Sequence, residues 1–157
     1  MKEAVGRKTK LRLIALSIDT EGSVSVNLFR KRNLEGEFKF LQMEPTISIC
    51  TNNSKELLEY IAKICKELWP ETNFYLEKKA IRLYGNIQGL KVLKEVLPFL
   101  IVKEEKARKL IAFCECRRGK HGPIKYSQEE IELALSIRSR PLKPWARDFL
   151  LKRGYKI

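Results

Sequence analysis

The chain is poor in the residues that most metal, redox and acid–base chemistries need. It has one histidine, His121, and four cysteines, Cys50, Cys65, Cys114 and Cys116. The cysteine spacing matches no common zinc pattern. Cys114, Cys116 and His121 together make only a partial ligand set, so reduced core thiols are expected. Nothing in the sequence places beside His121 the partner that a general base needs. Long apolar runs are missing too: the longest, residues 13–18 and 96–102, fall far short of a membrane span. The first residues are basic but carry no apolar segment and cleavage site of a signal peptide. An intracellular location (cytoplasm, nucleoid or organelle) with no membrane partner is expected. No tract has low complexity, and the composition is neither disordered nor collagen-like. Acidic residues are scarce beside basic ones, 19 against 32, which leaves a formal net charge of +13 on 157 residues. Such a field attracts polyanions and speeds their encounter. Nucleic acid is the leading partner class and a membrane surface the second. The length suits one compact unit with its own core.

What is present is a regular alternation of elements. Residues 10–18 are almost wholly apolar, which predicts a helix buried on more than one side. It stops at Asp19-Thr20-Glu21-Gly22, where the glycine punctuates a turn. Alternation follows: Val24, Val26 and Leu28 face one way, and Ser25, Asn27, Phe29 and Lys31 the other. Phe29 is the apolar member of the outward set and is suited to a subunit seam. Residues 33–36 read as a turn. A second strand sets Leu41, Met43, Ile47 and Ile49 against Gln42, Glu44, Thr46 and Ser48, with an irregularity or an edge expected at Pro45. Asn53 or Ser54 caps an amphipathic helix through Leu57, Leu58, Ile61, Ile64, Cys65 and Leu68, ended by Trp69-Pro70. Short strands are expected at 73–77 and 80–84. A helix then carries Ile87, Leu90, Leu93 and Leu97 on one face, ending at Pro98, and another at 104–116 turns Ala107, Leu110, Ile111 and Cys114 inward. Residues 117–123 form a basic, breaker-rich loop. Ser127 with Glu130 makes a capping box, and a last short helix holds Trp145, Phe149 and Leu150. Hairpins alternating with helices predict an α+β layer with helices on one sheet face. The expected organisation is a core domain over 1–116 with a basic helical extension, 117–157, packed on the same domain.

The string Ile14-Ala15-Leu16-Ser17-Ile18-Asp19-Thr20-Glu21-Gly22, followed by Ser23 and an alternating strand, resembles the motif that names the LAGLIDADG homing endonucleases. Pro98-Phe99-Leu100-Ile101-Val102-Lys103, with Lys106-Ala107 after it, is similar to the family's late segment, which delivers a lysine to the active site. The resemblance covers about residues 8–116. It implies an α-β-β-α-β-β-α core whose antiparallel sheet forms a DNA-binding saddle. Two departures stand out. Leu16 occupies a position where the family usually has a small residue at a close helix crossing, and Glu21 replaces the more frequent aspartate.

The resemblance implies a metal-dependent nuclease. Phosphodiester hydrolysis needs an activated water and a stabilised leaving oxygen, which Mg2+ or Mn2+ supplies from oxygen ligands. Glu21 is the implied metal carboxylate, with the backbone carbonyl of Thr20 nearby, while Asp19 organises the helix end. Lys103 is implied as a charge-stabilising or water-orienting group. Lys55 is placed for the second basic role, and Thr51 or Asn52 to hold a water. One motif per chain implies a homodimer through residues 11–18, acting on a near-palindromic double-stranded DNA site. For reading bases the outward set offers Ser25, Asn27, Lys31, Gln42, Glu44, Thr46, Ser48 and Arg82, with Tyr75 and Tyr84. Arg30, Arg32 and the basic extension are expected on phosphates. The alternatives are an RNA maturase that binds intron RNA and assists splicing, and a DNA-binding protein of this fold that does not cut.

Overall fold

A computed structural model describes residues 5–32, 34–120 and 125–157. His121 and the end of the basic loop therefore lie outside the described residues. The elements run α1 (Arg7–Glu21), β1 (Ser23–Arg32), β2 (Phe38–Thr51), α2 (Lys55–Leu68), β3 (Tyr75–Leu76), β4 (Ala80–Tyr84), α3 (Asn86–Val96), a 3-10 turn (Leu97–Phe99), α4 (Glu104–Arg117), α5 (Gln128–Ile137) and α6 (Pro144–Lys152). The four strands make one antiparallel sheet in the order β1-β2-β4-β3. This is the α+β arrangement expected from the alternating pattern. One hydrophobic core gathers Ile14 and Ile18 of α1, Val24 and Val26 of β1, Leu58 and Ile61 of α2, Leu93 and Val96 of α3, and Ile131, Ala134 and Ile137 of α5. Among the described residues no helix is long and apolar enough to cross a membrane.

Local chemistry explains most boundaries. Ser54 caps α2 by accepting the Leu57 N–H at 3.3 Å. The Ser127–Glu130 capping box opens α5 with both reciprocal bonds in place. The cysteines are free thiols, buried at 50, 65 and 114 and half-buried at 116. Burial pushes the thiols of Cys65 and Cys114 up to about 12.

At Pro45 the expected edge is a local one: β2 pairs β1 in register through Pro45 and Val26, but it pairs β4 only from Thr46 onward. The Pro45 carbonyl accepts from Gly85 N at 3.1 Å, on the β4 side. A residue's N and O leave an antiparallel strand on the same side, so the missing N–H points just past the end of β4, where no partner waits. Met43, two residues back, faces the same gap, and its N–H is met by the Tyr126 hydroxyl at 2.8 Å. Ile87, assigned to the inner face of α3, is 75% exposed. The buried arc runs through Gly89, Leu90, Val92, Leu93 and Val96, and at about 100° per residue Ile87 projects away from its centre. The 73–77 strand shrinks to Tyr75–Leu76 because Glu77 N already turns back to Ala80 O at 2.8 Å.

The carboxy-terminal helices are tied to α4 by a buried ion pair. Glu130 accepts from Arg117 and Lys120, both at 2.9 Å, and the Arg117 guanidinium lies over the Tyr126 ring. Burial alone would raise the Glu130 carboxyl, but its bonds to Lys120, Ser127 N and Arg117 hold it below the usual glutamate range. A lowered carboxylate stabilises the fold above the unfolded-state value and loses that contribution as pH falls through the folded value. Glu130→Ala leaves Arg117 buried without its counter-charge. We expect it to lower unfolding stability by about 3–5 kcal/mol in urea denaturation at neutral pH. The deficit should shrink when the comparison is made in acid, where the wild-type carboxylate is itself protonated.

Candidate functional site

The site grows from the carboxyl end of α1. Ser17 O accepts from Gly22 N at 2.9 Å, and Thr20 Oγ1 donates back to Leu16 O at 2.8 Å. No basic residue lies in the last turn of α1. Lys103 supplies the cation from 84 residues away: its Nζ donates to Ile18 O at 2.8 Å and Asp19 O at 2.7 Å. Such a pairing suits the negative end of a helix. Burial lowers the Lys103 pKa, Asp19 opposes the shift, and Lys106 adds to it. Asp19 is buried and accepts from Ile101 N at 2.8 Å and Lys103 N at 2.9 Å. The 100–103 segment is thus pinned to the helix end. Among the described residues no donor reaches the Thr20 carbonyl.

Glu21, the last residue of α1, is exposed but not loose. Its Oε2 accepts from Asn52 Nδ2 at 2.9 Å, and the Cys50 thiol lies 3.5 Å from the same oxygen. Burial first, then Glu21 itself, raises the Cys50 thiol pKa, against an opposing bond to Ser17. Oε1 of Glu21 has no hydrogen bond among the described residues. The structure therefore brings together Glu21, Asn52, Cys50 and, one turn inward, Lys103. It does not bring in Thr51, which is exposed and paired with Ala80 at the end of β2. Lys55 opens α2 on the surface, 3.7 Å from Glu59. Sequence reasoning missed the Glu21–Asn52–Cys50 contact because it spans about thirty residues and no periodic pattern encodes it.

The polar face of the sheet meets this end. Cross-strand rows place Ser25 beside Thr46, Asn27 beside Glu44 and Phe29 beside Gln42. On the β4 side Thr46 faces Tyr84, Ser48 faces Arg82, and Arg82 faces Tyr75. The face is more closed than alternation alone suggests. Thr46 and Ser48 are buried, and Asn27 Nδ2 donates to Thr46 Oγ1 at 2.9 Å. Glu77, which the sequence did not single out, lies 3.4 Å from Arg82 Nε and accepts from Tyr84 Oη at 3.2 Å. Tyr75 meets Tyr84 edge-on at 5.3 Å. Lys31 is exposed near the hairpin tip. Arg30 and Arg32 are exposed and each makes a contact within the chain. Arg30 shares the parity of Val26 and Leu28, and its guanidinium stacks on Trp145 of α6 at 4.5 Å. Arg32 donates to Gly36 O within the hairpin turn at 2.9 Å.

Beside the site α1 is not buried all round. Leu16 is 58% exposed, and Ile101 and Val102 on the pinned segment are 84% and 75% exposed. Three large apolar side chains thus lie bare around the end that carries Glu21.

No family model and no curated protein matches the sequence. Solved structures do match. The homing endonuclease I-CvuI, crystallised with magnesium on the I-CreI target with the DNA not cleaved, is 14% identical over 96% of this chain and 98% of its own, with a TM-score of 0.65. The archaeal intron-encoded homing endonuclease I-Vdi141I, complexed with DNA, is 19% identical over 94% of this chain and 95% of its own, at 0.64. I-SmaMI, a LAGLIDADG homing endonuclease bound to cleaved DNA, is 15% identical over 96% of this chain but only 50% of its own, at 0.67. The fold is that of the LAGLIDADG homing endonucleases.

Proposed function

We propose that this chain is a site-specific double-stranded DNA endonuclease that works as a homodimer with a divalent metal, Mg2+ or Mn2+, on a near-palindromic site. The observation that carries the reading is Glu21. It is a carboxylate with one oxygen fixed by Asn52 and the other open, at the negative end of a helix and beside a polar sheet face. The open oxygen and the undonated Thr20 carbonyl fit a hard, oxygen-seeking cation. A metal bound there supplies a more acidic water and charge neutralisation at the scissile phosphate. Lys103 keeps the carbonyls of residues 18 and 19 occupied, leaving Glu21 and Thr20 as the available ligands. It would also supply positive charge to stabilise the negative charge that develops on the leaving oxygen.

The sheet face supplies recognition. Side chains of Asn27, Gln42, Glu44, Arg82 and Tyr84 match the donors and acceptors of the major groove, and the +13 charge supplies attraction without sequence preference. Two chains are needed because each brings one Glu21. A second copy seated on Leu16, Ile101 and Val102 removes that apolar surface from water and brings two carboxylates to one locus. The match to half of I-SmaMI and to nearly all of I-CvuI is consistent with a one-repeat chain that pairs. No observation of its own favours the maturase or the non-cutting alternative.

The test is cleavage of a randomised DNA-site library with Mg2+, beside sedimentation of the free protein. We expect a dimer at micromolar concentration and cuts confined to sites of approximate twofold symmetry. A folded dimer that cuts no member of the library refutes the nuclease. A monomer that cuts refutes the shared-site arrangement.

A further inference from the structure

We propose that Asn52 is a positioning residue for Glu21, holding one carboxylate oxygen so that the other is presented to the metal in a fixed direction. The inference rests on the nuclease reading and deepens it. A glutamate has one more rotatable bond than an aspartate, so an unsupported Glu21 sweeps its carboxylate through a wider arc and loses more freedom when it binds. Asn52 removes that freedom. Its own backbone N–H donates to Lys79 O at 3.0 Å, which fastens it to the turn before β4. Its Oδ1 accepts from Ser54 N at 2.8 Å, the residue that caps α2. Because an N–H can be met only by the amide oxygen, the other terminus must be the NH2 group. That group points at Glu21 Oε2 at 2.9 Å, where the Cys50 thiol also converges. Both donors meet the same oxygen, and Oε1 receives none among the described residues. A carboxylate held this way offers a single oxygen, the mode that a small cation with strict geometry accepts most readily. The extra methylene at position 21 lengthens the reach of the carboxylate toward Asn52, just past the end of β2.

The competing role for Asn52 is structural: it makes the turn that leads into α2. Asn52→Ser separates the two roles. A serine hydroxyl still accepts from the N–H two residues on but is too short to reach Glu21. Single-turnover cleavage of the selected site at saturating Mg2+ should fall about 10-fold. Mn2+ affinity of the complex with a non-hydrolysable copy of that site, read by electron paramagnetic resonance, should fall about fivefold. Melting temperature and DNA affinity should stay near wild type. In a Glu21→Asp background, whose carboxylate no longer reaches Asn52, the serine substitution should change neither rate nor metal affinity. In the metal-free protein, Glu21→Gln should shift the Asn52 side-chain amide resonances. Unchanged rate and Mn2+ affinity in Asn52→Ser, with an active parent, overturn the positioning role and leave the nuclease standing. So does an equal loss in both backgrounds. A parent that cuts nothing removes the nuclease reading and this one with it.

Discussion

Glu21→Gln is expected to reduce cleavage at least about 10^3-fold while leaving DNA affinity within about threefold. The substitution keeps the length of the side chain and an oxygen able to accept the Asn52 amide, so position is preserved and charge alone is removed. Charge at this point contributes through the transition state. Losing a preorganised group that acts on the developing charge typically costs 10^2–10^3 in rate, and a homodimer loses the group twice. Binding is supported elsewhere, by the sheet face and by the basic residues that make the long-range field. Single-turnover cutting of a plasmid carrying the selected site, beside a mobility-shift titration, reads the two quantities separately. Equal losses in both mark Glu21 as part of the binding surface. A loss of only a few-fold in cutting removes it from the metal site.

How much of this arrangement was legible in the sequence depends on the range of the interaction involved. Periodicity located β1 and its two faces, because alternation along a strand is local. The Ser127–Glu130 pair announced the start of α5, because both partners of a capping box lie within one turn. The two motifs pointed to the helix end and to Lys103. They did not show that Lys103 caps the carbonyls of residues 18 and 19, or that Asp19 binds the segment carrying Lys103. Those bonds join positions more than eighty residues apart. At Pro45 the expected edge is present only because β4 ends at Tyr84, a fact that no local pattern records. For Arg30 the strand parity was legible but its aromatic partner, Trp145, was not, because that residue lies on the last helix. For Leu16 the apolar run was read as a surface needing cover, and in the single chain it is 58% exposed.

Among the described glycines, Gly22→Ala should be the most damaging change, lowering unfolding stability by roughly 3 kcal/mol or more, the upper range for overpacking. The familiar reason for a glycine after a helix, a left-handed backbone, does not apply. Gly22 has φ of −100° and ψ of −168°, which other residues adopt freely. The reason is proximity. A Cβ at position 22 would lie 2.1 Å from Ser48 O, 2.8 Å from the Ile18 Cα and 3.0 Å from Ile49 O. All three are backbone atoms of α1 and of the central strand β2, and none relaxes by rotating a side chain. To admit the methyl group the helix end must separate from the strand, and that junction also spaces Glu21 from Asn52. Gly36→Ala is the control: there φ is +81° and nothing lies within 4 Å of the added carbon, so only the backbone preference is lost, at about 1 kcal/mol. Thermal and urea unfolding of the pair decide the matter. At about 2–4 °C per kcal/mol for a chain of this size, Gly22→Ala should melt at least about 6–12 °C below wild type. Gly36→Ala should fall by no more than about 4 °C. Comparable losses in the two variants contradict the close approach of α1 to β2. A Gly22→Ala protein that stays folded should still lose cutting more than binding, because the displaced atoms belong to the carboxylate's support and not to the outer rows of the sheet.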